Sequence, residues 1–508
     1  MAQVHITKIN ESFIKVTAED AGTVEDIYQS FRYVDPTHQP SRWSKWDGTV
    51  RMYNKQTGRM QAGLLFLLLR WLKESSYEYW VDPELSKGLI NNVSREEIQE
   101  WVDSLNLSDG EGDPITAYDY QVESLYLTVK YQKMVLLAAT SAGKSLIIYL
   151  IARFYDMLYP DIKKAVVVPT AMLVNQLTQD FQDYSKRNGW PAHTKVHTIV
   201  DGSAKTSSRP VYISTWQGIQ DMPKDYFEDF GVLVVDECHG ASAKKLTAIC
   251  DHSTNAFIRI GLTGTLKDNE LHPIAVQACF GPAKRVVTTK ELIDSGRATK
   301  VYVRQIMLAY NYDDRSKVAT GGKVPKDFEG TMPMSFQEEV EFLFEHEWRN
   351  KVLVNMAKTL KGNSLFLFER VDSHLVKLEG LMKEAGLNVK VIHGDVKTAE
   401  RDMAKKLAET EDGVIILGTY GCISTGVSIR RLRNIVFCHP SKSIVRVLQS
   451  IGRVLRLHKM KDFANLYDII DDLSLGGRYN YAIRHAIKRA EFYEAEEHEV
   501  TKRRFEQK

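Results

Sequence analysis

MVLLAATSAGKS, Met134 to Ser145, runs straight into LIIYLIARFY, Leu146 to Tyr155. A short apolar strand, a loop of small residues and a helical pattern follow one another with no spacer. Phosphate oxygens need backbone N–H groups converging at a helix N-terminus, where the helix dipole favours anions. Thr140, Ser141 and Ala142 supply that loop backbone, Gly143 lets it approach closely, Lys144 reaches the outer phosphates, and the Ser145 hydroxyl can ligate Mg²⁺. The pattern departs from GxxxxGK[ST] at its first position, where Ala138 stands. The stretch predicts a site for ATP and Mg²⁺ on the edge of a parallel sheet.

A second stretch agrees with the first. Gly231-Val-Leu-Val-Val leads into Asp236-Glu237-Cys238-His239. A buried strand that ends in two acids puts carboxylates at its C-terminal edge, where open α/β sheets hold their ligands. Asp236 is expected in the Mg²⁺ shell, and Glu237 is expected to orient or deprotonate an attacking water. Neighbouring Cys238 and His239 make poor zinc geometry, so His239 is expected to form a coupling hydrogen bond instead. A third stretch, Gln449-Ser-Ile-Gly452-Arg453-Val-Leu-Arg456, places two arginines three residues apart on one helix face. Such a pair can bind the charge that spreads over a γ-phosphoryl in its transition state.

Outward from these, short apolar runs alternate with helical patterns from about residue 115, and the same texture restarts after 360. That is the signature of two α/β lobes, each a parallel sheet covered on both faces. The expected division is a small α+β domain at 1–110, lobes at 111–298 and 299–475, and a helical tail at 476–508. Ser108 to Pro114 (SDGEGDP) reads as the linker. In the first domain, Val4, Ile6 and Ile9, then Phe13, Ile14 and Val16, suggest two strands turning at Asn10-Glu11-Ser12, and Asp47-Gly48 is a hairpin-turn signal.

The chain has 508 residues, 44% apolar, with 67 Lys+Arg against 65 Asp+Glu, a formal charge of +2. This excludes a disordered tail, a fibrous repeat and a polybasic protein that grips nucleic acid everywhere. The five scattered cysteines include no CxxC pair, which argues for a reducing compartment. The longest apolar run, Gly63 to Leu69, is far short of the roughly 18 residues that span a bilayer, so no membrane role is expected.

Taken together, the motifs resemble those of the superfamily 2 helicases and translocases over roughly residues 115 to 475. They recur in family order: Tyr118-Asp-Tyr-Gln121, AATSAGKS, Val168-Pro169-Thr170, Ser214-Thr215-Trp216-Gln217, DECH, Leu262-Thr263-Gly264-Thr265, Phe366-Leu-Phe368, His393-Gly394-Asp395, Gly418-Thr419 through Ser424-Thr425-Gly426, and QSIGRVLR. The resemblance implies two tandem RecA-like lobes, with Gln121 reading the adenine edge. It places Pro169, Thr170, Thr215, Trp216, Phe368, Thr419 and Thr425 on the strand-binding face, and assigns Thr263, Thr265 and Gln449 to coupling. Two departures stand out: Thr-Gly-Thr replaces the usual Ser/Thr-Ala-Thr, and Ser428 stands where an acidic residue is frequent. A narrower resemblance, to phage recombination helicases of the UvsW type, extends into the first hundred residues. It implies an ATP-driven motor on forked, Holliday-junction and RNA–DNA hybrid substrates, working as a monomer in the host cytoplasm.

Between Pro40 and Met60 lie Arg42, Lys45, Arg51, Lys55 and Arg59, interleaved with Trp43, Trp46 and Tyr53. Two readings fit. Arg42, Trp43, Trp46 and Arg51 could contact phosphates and unstacked bases, or the aromatics could simply fill the domain's core. Alternatives for the whole chain are a duplex translocase that separates no strands, or an RNA helicase. A decayed ATPase is disfavoured by the intact motif residues, and a P-loop kinase would not need a second lobe.

Overall fold

A computed structural model describes residues 3–34, 47–87, 93–139, 141–239, 244–264, 266, 271–321, 333–369, 374–394, 396, 398–420, 429, 431–440, 463–495 and 498–507. The chain divides into two compact units, Met1–Val287 and Thr288–Lys508.

The first unit opens with a five-stranded sheet in the order Tyr53–Asn54, Arg59–Gln61, Phe13–Ala18, Val4–Lys8, Tyr79–Val81. Val4–Lys8 and Phe13–Ala18 form the expected antiparallel hairpin, with Val4, Ile6, Ile14 and Val16 buried in period two. Its turn is an Asx turn: Asn10 Oδ1 accepts from the N–H groups of Ser12 (2.8 Å) and Phe13 (3.0 Å). A second tight turn lies at Lys55–Gly58, where Gly58 has φ 71°, rather than at Asp47-Gly48. Gly48 (φ 74°) instead leads into Thr49–Arg51, whose partner strand is Arg32–Val34. The helix Leu65–Glu74 buries Leu65, Leu68 and Leu72 on one face, as its sequence requires.

A seven-stranded, wholly parallel sheet completes this unit. Its order is Val196–Ile199, Val211–Thr215, Lys163–Val168, Phe230–Asp236, Ile258–Thr263, Lys133–Ala138, Ala283–Val287. The central strands are largely apolar because helices cover both faces, and the buried exceptions Lys164 and Arg259 donate to backbone carbonyls. Ala138, the odd residue of the phosphate-loop pattern, is simply the buried last residue of its strand, paired with Val287, and so needs no glycine.

The hairpin turn of the small sheet docks onto the base of this larger one. Glu11 N–H donates to Thr254 O (2.9 Å), and the Glu11 carboxylate bridges Lys133, the first residue of the phosphate-loop strand, at 2.6 Å. Ser12 Oγ accepts from the Arg259 guanidinium (2.6 Å) and donates to Cys250 O (3.1 Å). Nearby, Gly63 packs so tightly on the helix Leu271–Phe280 that an added Cβ would sit 2.2 Å from Gln277 O and 2.6 Å from Ala278 O. We expect Gly63→Ala to cost about 1–3 kcal/mol through overpacking. A urea midpoint equal to that of the parent would show that the helix yields without cost.

The second unit holds another wholly parallel seven-stranded sheet, in the order Val389–Ile392, Ile415–Thr419, Asn363–Phe368, Leu432–Phe437, Phe463–Asp472, Lys300–Ala309, Glu499–Glu506. The helix expected beyond 476 is Tyr481–Ala495. The chain then continues into the exposed edge strand Glu499–Glu506, whose charged run EVTKRRFE gave no strand signal. Arg489, on that helix, is buried and paired with Asp468 at 2.8 Å, so its role is structural. Arg349 is likewise buried against Asp471 (2.9 Å) and Cys438 O (2.6 Å). Among the described residues, no helix is long and apolar enough to cross a membrane.

Candidate active site

The phosphate loop sits at the C-terminal end of Lys133–Ala138, in line with the helix Lys144–Leu158. Gly143 caps that helix in the left-handed region, φ 70°, and Ser141 is left-handed too, φ 72°. The first N–H groups of the helix have no carbonyl one turn earlier to bond, so they face the loop as anion donors. A Cβ at 143 would also meet Gln121 Nε2 at 2.5 Å and displace that amide. Gln121 is buried, donates to Ala142 O (3.0 Å) and accepts from Tyr118 N–H (2.8 Å). In this structure its amide therefore braces the phosphate loop.

Asp236 ends its strand, and Glu237 follows in a left-handed conformation, φ 49°. Non-glycine residues hold such a backbone only where the surroundings over-determine it, commonly at functional sites. The Glu237 carboxylate is the hub. Oε1 receives Lys144 Nζ at 2.6 Å; Oε2 lies 3.2 Å from His239 Nδ1 and accepts from Thr263 Oγ1 at 3.4 Å. His239 Nδ1 and Thr263 Oγ1 are themselves 3.0 Å apart. One carboxylate thus joins the phosphate-loop lysine to the residues expected to couple. With side chains 15% and 23% exposed, Lys144 and Glu237 are sheltered yet still open to a ligand.

The charges are unequal in their surroundings. Burial pushes Asp236 up to about 6, against the pull of Lys144 and with the push of Glu237. Burial would raise Glu237 as well, but Lys144 and His239 outweigh it and hold that carboxyl down at about 2. Burial also works against the Lys144 ammonium, and the two carboxylates overcome it, raising its pKa. The donor set is all oxygen, a serine hydroxyl and a carboxylate burdened by a second anion. It fits Mg²⁺, a hard cation that takes one or two carboxylates and fills its shell with phosphate and water.

A second group of expected residues gathers on the same sheet edge. Thr170 caps the helix Ala171–Ser185 by accepting from Leu173 N–H (3.3 Å), and Thr215 caps Trp216–Ile219 by accepting from Gly218 N–H (3.0 Å). Their parallel strands are neighbours, Thr215 opposite Val168, with Pro169 next in the chain. Beside them is a cavity of about 350 Å³ lined by Ala171, Lys205, Thr215, Gln217 and Gly218 among others. Trp216, by contrast, packs partly buried against the core of its own sheet. In the second unit Thr419 ends its strand almost buried. Phe368 is core: its ring is 1% exposed and packs edge-on against His374 at 5.0 Å, so it cannot stack on a base.

In the first domain Tyr53 is also core, its hydroxyl donating to Val16 O (3.0 Å), and Arg51 pairs with Asp47. Thr140, Thr265, Thr425, Ser428, Gln449, Arg453, Arg456, Arg42, Trp43 and Trp46 lie outside the described residues. Sequence reasoning missed Tyr184, whose hydroxyl lies 2.9 Å from Ser145 Oγ; a tyrosine late in an amphipathic helix carries no signal of its own.

Known families and solved structures share this chain's sequence and fold. Residues 91–268 match the family model of the type III restriction enzyme res subunit, and 348–458 match the helicase conserved C-terminal domain. The ATP-dependent DNA helicase UvsW of Enterobacteria phage T4 is 31% identical over 470 residues, covering 89% of each chain. A crystal structure of T4 UvsW superposes with a TM-score of 0.51 at 26% identity, over 99% of both chains. The DNA-bound type ISP restriction-modification enzyme LlaBIII shares the fold alone, with a TM-score of 0.54 at 15% identity over 78% of this chain and 32% of its own. The chain belongs to the superfamily 2 helicases, as an ATP-dependent helicase related to phage T4 UvsW.

Proposed function

We propose that this helicase works on DNA, unwinding and branch-migrating forked, Holliday-junction and RNA–DNA hybrid substrates as a monomer in the host cytoplasm. The observation that carries the ATPase half of this reading is the Lys144–Glu237 contact tied to His239 and Thr263. A triphosphate would compete with Glu237 for the Lys144 ammonium. A γ-phosphate that draws the ammonium away removes the main stabiliser of ionised Glu237, so its proton affinity rises toward what a general base needs. Substrate binding thereby arms the base, and the bonds from His239 and Thr263 report the change to their strand ends. Ser145 and Asp236 would hold Mg²⁺, which when bound supplies charge neutralisation for the phosphates. Arg453 and Arg456 would meet the γ-phosphoryl charge.

Pro169, Thr170, Thr215, the Trp216 backbone, Thr419 and Thr425 would form the strand face. Contacts there go to phosphates, so binding should ignore sequence and weaken with salt. The branched-substrate reading rests on the resemblance to the UvsW type, which spans the first domain as well as the lobes.

The deciding experiment measures ATP hydrolysis against single-stranded, duplex, forked, four-way and hybrid polymers, with strand separation followed in parallel. Branched DNA should stimulate most. Strongest stimulation by RNA alone, or by duplex without strand separation, would replace this reading with the corresponding alternative. For the first domain, fork affinity of a Trp43/Trp46/Arg51 triple-alanine protein should fall. Unchanged binding in a folded protein would leave those aromatics only a packing role.

A further inference from the structure

We infer that Tyr184 is a positioning residue for the metal site, setting the Ser145 hydroxyl so that its lone pair faces the cation. The inference rests on the reading of Ser145 as an Mg²⁺ ligand.

Ser145 Oγ carries one proton and two lone pairs. To ligate a dication it must turn a lone pair toward the metal, and its proton then needs an acceptor on the other side. Tyr184 Oη, 2.9 Å away, is that acceptor. A phenol both donates and accepts. It can therefore donate to Ser145 when no metal is bound and accept from it when one is, with no atom moving far.

The phenol is held in place independently of the site. Its ring lies edge-on against Tyr149 at 5.3 Å, one helical turn after Ser145 on the same helix. Tyr149 OH is fixed by Ser185 Oγ (2.9 Å) and by Asn188 Nδ2 (3.1 Å), and Asn188 Nδ2 also donates to Tyr184 O (3.1 Å). The tyrosine is thus presented by the last turn of Ala171–Ser185, a different element from the one that bears Ser145. A packing role alone would need the ring, not the hydroxyl.

The test uses the full-length protein with ADP and Mn²⁺ as the metal probe. Mn²⁺ affinity of the protein–ADP complex is read by electron paramagnetic resonance, and ADP affinity in EDTA by a fluorescent ADP analogue. Tyr184→Phe should weaken Mn²⁺ binding about tenfold, the lower end for losing a bond that orients a metal ligand. ADP affinity in EDTA should stay within about twofold, because metal-free phosphate binding does not use the hydroxyl. Ser145→Ala should also weaken Mn²⁺ binding, and adding Tyr184→Phe to it should change nothing further. If Ser145→Ala weakens Mn²⁺ but Tyr184→Phe does not, the positioning role is overturned while the ligand reading survives. If neither weakens Mn²⁺, the ligand reading itself fails and takes the inference with it. An equal loss of ADP affinity in EDTA on Tyr184→Phe would mark general damage and overturn the inference too.

Discussion

Glu237→Gln binds ATP as well as the parent or better and hydrolyses it about 10²–10⁴ times more slowly, the range lost when a positioned general base is removed. The amide keeps the shape of the carboxylate and can still bond Thr263, so the left-handed backbone and the neighbouring strand ends have no reason to move. What disappears is the capacity to take a proton. The substitution also releases Lys144 from its 2.6 Å partner. In the parent, a triphosphate must compete with Glu237 for that ammonium; in the variant it does not, and this is why affinity should hold or rise. Nucleotide binding at equilibrium and steady-state hydrolysis, measured on the same preparation, separate the two effects. Hydrolysis within a few-fold of the parent would remove Glu237 as the base.

Arg456→Ala should lower turnover by about 10³–10⁵, the range associated with an arginine that meets the transferring phosphoryl group. The argument rests on charge. Lys144 is a single cation, already shared with two carboxylates that raise its pKa. The γ-phosphoryl flattens, with its three charged oxygens equatorial, only near the transition state, so a guanidinium placed to meet that geometry lowers the barrier more than it strengthens binding. Turnover should therefore fall far more than ATP affinity, and Arg456→Lys should not restore it, because an ammonium lacks the planar fork. A variant that loses affinity alone would make Arg456 a plain phosphate contact.

Much of this molecule was legible in its sequence. The runs Ala165–Val168, Val232–Val235 and Ile258–Leu262 fall within strands of one parallel sheet, and Met134–Ala139 overruns its strand by one residue, because burial on both faces leaves few polar positions to blur the pattern. Asp236, Glu237 and His239 were readable as a unit because a strand end fixes where the next few residues go. Other features had no such signature. Glu499–Glu506 is an exposed edge strand held by backbone bonds, so its side chains were free to be charged. Phe368 bears a motif position, yet its ring belongs to the core, since a motif fixes a backbone location and not which way a side chain turns. Tyr184 and Gln121 meet the phosphate loop through contacts 39 and 21 residues apart in sequence, and no local pattern encodes those distances.

The docked turn at Glu11 and Ser12 bears on how this chain can be cut. A version beginning near residue 110 would strip Lys133 of its carboxylate, leave Arg259 short of an acceptor, and uncover Ala278 and the flank of its helix. The nucleotide-binding half is thus no free-standing module: trimmed of its leading segment, it should come out sticky and poorly soluble even with every catalytic side chain intact.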